Sequence, residues 1–114
     1  MSTTAGYVDI YLLPVPEENL DAYREQAASF GAVARDHGAL AYREFRADDL
    51  REGFEVEGGR RLTAAVVEFE SRAHRDAVME KVMGDPRVTA SLGQPELADL
   101  SQMRYGGFET FVDA

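Results

Sequence analysis

The pattern of apolar and polar positions divides the chain into six elements. "YVDIYLL", Tyr7 to Leu13, is β-branched and aromatic and predicts a first strand, ended by Pro14 and Pro16. Pro16 suits the first turn of a helix, and Glu17, Glu18 and Asp21 complement its dipole. Leu20, Tyr23, Ala27, Phe30, Ala34 and His37 then recur at three- and four-residue steps, one face of a helix of about five or six turns that Gly38 stops. "LAYREFR", Leu40 to Arg46, predicts a second strand. An acidic connection follows, with Gly58-Gly59 as its clearest turn, and "LTAAVVEFE", Leu62 to Glu70, predicts a third strand. A second helix spans Ser71 to Met83, with Val78, Met79, Val82 and Met83 as its apolar face and Gly84 as its end; Asp85 before Pro86 suits a further short helical turn. After a polar, irregular stretch, "MRYGGFETFV" predicts a last strand, in which Gly106-Gly107 marks a bulge or a close approach.

The order β-α-β-β-α-β predicts one α+β domain over residues 1–114, ferredoxin-like, with two helices on one face of a four-stranded antiparallel sheet in the spatial order 4-1-3-2. Side chains alternate across a strand, so each face can be read separately. On the first strand the aliphatic set Val8, Ile10 and Leu12 is assigned to the helices, leaving Tyr7, Asp9 and Tyr11 on the uncovered face. Thr63, Ala65, Val67 and Phe69 are the expected core set of the third strand, with Val66 and Glu68 opposite. Tyr42 and Glu44 add to the uncovered face, which is then too aromatic for solvent and too acidic for a plain core. Pairing it with the same face of a second copy predicts a homodimer. Asp9 and Glu68, on adjacent strands, would then raise one another's pKa and form a proton-transfer site. The competing expectation, which we favour, is cross-strand pairing with Arg43, Arg46 or Arg104.

Charge narrows the function classes. Net charge is -9 and pI about 4.6, so nucleic acid and anionic membranes are repelled and neither is an expected partner. No apolar run has the length of a membrane span, and the first residues lack the pattern of a signal peptide. Without cysteine, thiolate chemistry is excluded and a reducing cytoplasm fits. Against this acidic background the start of the second helix carries Arg72, His74 and Arg75, where the dipole disfavours cations. The trio suits an anionic ligand. With 21 acidic residues available, pairing is favoured, Arg72 with Asp76 one turn on and Arg75 with another carboxylate, or the trio with Asp48-Asp49 of a partner copy. His37 ends the stripe of the first helix, where a structural role is favoured over proton transfer. Two histidines on different helices make no metal site, and no nucleotide or cofactor motif is present, so no cofactor is expected.

"YVD", "PVP", "DAYR", "HGALAYRE", "DDLREGFEV", "ESRAHRDAV", "KVMGDPR" and "MRYGGFETFVD" together resemble the YbaA-like family, domain of unknown function 1428, over nearly the whole chain and in the same order. The sequence departs from that pattern at Ile10, where glycine is usual, in a shortened segment after Gly53, and in lacking the third-strand tryptophan. The resemblance implies a dimeric α+β barrel, two ferredoxin-like sheets closed on each other, and no established activity. The expected function is small-molecule binding by a homodimer, with Arg72, His74, Arg75, Tyr11 and Tyr42 as candidate ligand contacts and an anion as one candidate ligand. An alternative is a cofactor-independent oxygenase or isomerase using Asp9, Glu68 or His37, by analogy with related barrels. A purely structural dimer is the third reading.

Overall fold

The computed structural model describes residues 5–91 and 96–114. Strand β1 is Tyr7–Pro16; a 3₁₀ turn, Glu17–Asn19, leads into helix α1, Leu20–Asp36. Strands β2, Ala41–Arg46, and β3, Arg60–Phe69, follow, then helix α2, Arg72–Met83, a short helix α3, Pro86–Ser91, and strand β4, Arg104–Glu109. The antiparallel sheet runs β2-β3-β1-β4, the expected order. Part of the polar stretch before β4, residues 92–95, lies outside the described residues.

The prolines do not end β1, which continues through both of them and pairs with β3 as far as Pro16 opposite Arg60. Glu17 N–H donates to the Gly59 carbonyl at 2.9 Å, so odd-numbered residues of β1 turn their backbone groups to β3 and even-numbered ones turn away. Among the described residues no strand pairs with that side after Leu12, where pairing with β4 stops. Pro14 and Pro16 therefore lack their N–H groups only along an edge, where proline is tolerated.

Register overturns the expected faces of β1. Asp9 lies opposite Val67 and Tyr11 opposite Ala65, so they share the core set's face. Tyr7, Leu13 and Val15 are buried there with Phe69, Val67, Val78 and Val82, under α1 and α2. Phe69, Val15, Val67 and Val82 are almost wholly enclosed, each worth about 1.5–3 kcal/mol on transfer from water. Tyr42 and Glu44 also face the helices: the Tyr42 ring packs on Phe30 at 5.9 Å and lies where a Cβ on Gly31 would sit. The uncovered face is consequently aliphatic, with Val8, Ile10 and Leu12 half-buried and Phe45 and Phe108 each 53% exposed.

The glycine pair of β4 makes a close approach and no bulge, since the register with β1 runs unbroken from Tyr7–Glu109 to Leu12–Arg104. A Cβ on Gly107 would fall 1.9 Å from the Tyr7 hydroxyl oxygen. Only glycine leaves room for that ring.

Candidate functional site

The start of α2 is held by its own side chains. Ser71 Oγ accepts the His74 N–H at 3.1 Å, and His74 Nδ1 accepts the Glu70 N–H at 3.0 Å. The pair satisfies the His74 N–H that the helix leaves open and the Glu70 N–H just before the cap, and fixes the imidazole against the Phe69 ring, 6.0 Å between centroids. His74 thus orients the first turn. One residue on, Arg75 reaches down to the sheet.

Arg75 Nη1 donates to Asp9 Oδ1 at 2.6 Å, Nε to Asp76 Oδ1 at 2.8 Å and Nη2 to the Tyr7 hydroxyl at 3.3 Å. Its guanidinium carbon also sits 5.1 Å from the Tyr7 ring centre. Asp9 is 3% exposed. Burial pushes its carboxyl above the ordinary range, against the pull of the Arg75 charge. Beside it, burial and the Asp9 charge push the Tyr11 phenol up to about 12, so Tyr11 stays protonated at neutral pH. Tyr11 stacks on its cross-strand neighbour Tyr105 at 5.5 Å, with 14° between the planes.

These groups form the floor of an open cleft of about 410 Å³ between α2 and β1. Asp9 and Tyr11 rise from the sheet; Arg75, Asp76, Met79, Glu80 and Met83 come from α2. The α2 residues repeat at i, i+4 and i+8, or i, i+4, and so project as one strip. Sequence reasoning assigned Met79 and Met83 to the core stripe and passed over Asp76 and Glu80 as part of a site. Their four-residue spacing from Arg75 and Asp76 is the signal that would have grouped them.

The remaining candidates lie elsewhere. Glu68 is on the uncovered face, where Arg43 pairs with it at 3.6 Å; with Asp9 on the other face, the expected Asp9–Glu68 couple does not form. His37 Nε2 meets Asp85 Oδ2 at 2.8 Å, and Arg87 bridges Asp85 and Asp36 at 2.9 and 2.8 Å. The hydrogen bonds from Arg87, with that from His37, hold the Asp85 carboxyl well below the usual carboxylate range. His37 therefore ties the end of α1 to the start of α3. Arg72 is exposed and makes no side-chain ion pair among the described residues. Tyr42 and Tyr23 both donate to Glu44, the Tyr23 bond at 2.6 Å. Burial and these bonds to a carboxylate raise both phenols well above their ordinary range. Of the trio on α2, only Arg75 lines the cleft, and each of its three nitrogens already makes a hydrogen bond.

Fold and cleft together define a ferredoxin-like α+β protein with a buried ion pair under an open groove. The model of a family described as a protein of unknown function, DUF1428, matches residues 6–98, and the chain belongs to that family. It is 34% identical to the uncharacterised Escherichia coli K12 protein YbaA over 94% of this chain and 97% of that one. Among solved structures, it resembles a dimeric ferredoxin-like protein from an uncultured marine organism, with TM-score 0.59, 14% identity and coverage of 97% and 100%. It also resembles a Bacillus cereus protein described as a candidate antibiotic biosynthesis monooxygenase, with TM-score 0.59, 10% identity and coverage of 97% and 98%. Likeness at these identities establishes the fold alone. Among the described residues no helix is long and apolar enough to cross a membrane.

Proposed function

We propose that this chain is a cytoplasmic homodimer that binds a small molecule in the cleft between α2 and β1, its two sheets packed face to face as an α+β barrel. The observation carrying the binding reading is the Asp9–Arg75 pair at the cleft floor. A buried ion pair is a weak source of stability, so its placement beneath an opening favours a role in fixing polar groups for a ligand. The aliphatic uncovered face, with Phe45 and Phe108 half-exposed, supports the dimer, as does the dimeric state named for the marine ferredoxin-like protein. A cysteine-free sequence suits the reducing compartment. Native mass spectrometry of gently purified protein tests both parts. A dimer carrying additional small-molecule mass is expected, and a monomer with no added mass would overturn the reading.

A second reading, an enzyme that moves a proton, is favoured by the upward-shifted Asp9 carboxyl beside the Tyr11 phenol. Here Asp9 is the base and Tyr11 a hydrogen-bond donor. Carbon-detected NMR titration of Asp9 tests it: a pKa above the ordinary 3.8 is expected, and one at or below 3.8 removes the base.

A further inference from the structure

The cleft's chemistry narrows its occupant, an inference that rests on the binding reading above. We propose that it takes a small arylalkylamine, an ammonium group carried on an aromatic ring, in preference to an anion.

Charge is the first ground. Asp9, Asp76 and Glu80 line the cleft together with a single guanidinium, that of Arg75. Arg75 spends Nη1 on Asp9, Nε on Asp76 and Nη2 on the Tyr7 hydroxyl. Each Nη keeps a second N–H, but a carboxylate or phosphate using them would sit beside the Asp9 and Asp76 carboxylates that this guanidinium already holds. The Glu80 side chain, by contrast, is exposed and makes no ion pair among the described residues, leaving a carboxylate at the rim for an ammonium group. The whole chain, at net charge -9, steers cations toward itself.

The walls are the second ground. Tyr11 lies in the floor with its ring stacked on Tyr105, which remains 70% exposed. A stacked pair of phenols offers an electron-rich face to rings and to cations. Across from it, Met79 and the half-exposed Met83 supply flexible thioethers, which adapt to flat ligands and make favourable contacts with aromatic edges. The volume, about 410 Å³, suits a small molecule. Aromatic, thioether and carboxylate surfaces thus converge where the one lining guanidinium is already paired with two carboxylates.

Three probes sharing one phenethyl skeleton test this: phenethylamine, phenylacetate and 2-phenylethanol, titrated into the full-length protein while the Met79 and Met83 methyl signals are followed by NMR. Phenethylamine is expected to shift both signals and to bind about tenfold more tightly than phenylacetate, because the charge change turns attraction into repulsion at the rim. High salt is expected to shrink that preference. Glu80→Gln is expected to weaken phenethylamine about two- to fivefold while leaving 2-phenylethanol unchanged. If phenylacetate or 2-phenylethanol binds as tightly as phenethylamine, the cleft binds ligands but the charge assignment is overturned. If none of the three moves either methyl signal, the arylalkylamine proposal is overturned, while added mass on the dimer in native mass spectrometry would still uphold the binding reading.

Discussion

Replacing Arg75 by Ala is the sharpest perturbation of the cleft floor. It leaves Asp9, 4% exposed in its side chain, without its guanidinium. Breaking a buried pair by removing one partner costs about 3–5 kcal/mol, because the surviving charge keeps its desolvation penalty. Arg75 is itself 22% exposed, so water can enter part of the vacated volume, and about 3 kcal/mol at neutral pH is the expected loss. The sign of the pH dependence follows from Asp9. Its folded pKa is already raised by burial, and losing Arg75 raises it further. The native state then binds more protons than the unfolded chain above pH 3.8, so stability falls as pH rises through the folded pKa, by at most about 1.4 kcal/mol per pH unit for one proton. Urea unfolding of Arg75→Ala and the parent from about pH 4 to about pH 8, at one fixed protomer concentration, measures this. The deficit should be greatest at neutral pH and shrink on acidification. Adding Asp9→Asn should recover much of it in a double-mutant cycle. A deficit below about 0.5 kcal/mol, or one independent of pH, would refute the claim that Asp9 is a buried carboxylate held by Arg75.

Phe45→Glu puts a charge on the uncovered sheet face and should convert the dimer to monomer in light scattering without loss of the far-UV spectrum; an unchanged dimer would place the interface elsewhere. Gly107→Ala drives a methyl into the Tyr7 ring and should cost about 1–3 kcal/mol by thermal melting, with strong non-additivity when combined with Tyr7→Ala. Tyr42→Phe removes one of two phenol donors to Glu44 and should cost about 1–2 kcal/mol in the same assay, and a neutral effect would mean that the Tyr42 hydroxyl does not hold the Glu44 carboxylate.

Much of the architecture was legible in the order of elements, because each carried its own period and its own stop. Gly38, at φ 115°, leaves α1 where a residue with a Cβ would be strained, and Ser71 caps α2 as its position suggested. The face of β1 was misread for a physical reason. Aliphatic residues were assigned to the core, but this sheet has two apolar faces, and the helix side accepts Tyr7 and Asp9 because Arg75 satisfies both. Ending the strand at Leu13 also hid Val15, which by alternation shares the side of Tyr7 and Asp9. The pairing of Glu68 with Arg43 was among the expected cross-strand contacts, whereas the Asp9–Arg75 bond joins residues on different elements and has no local signature. The glycine pair announced a close approach, but only the folded position of the Tyr7 ring, two residues from the register partner Asp9, names the group that requires it.

In the proposed dimer two copies pair through the aliphatic sheet face while the α2 cleft remains open to ligand. Isotope-filtered NOE spectra of a mixed dimer, one protomer labelled and its partner unlabelled, test it most directly. Intermolecular contacts are expected from the Phe45 and Phe108 rings to the methyl groups of Val8, Ile10 and Leu12. Contacts from the Met79 and Met83 methyls instead, or no intermolecular contact at all, would contradict it.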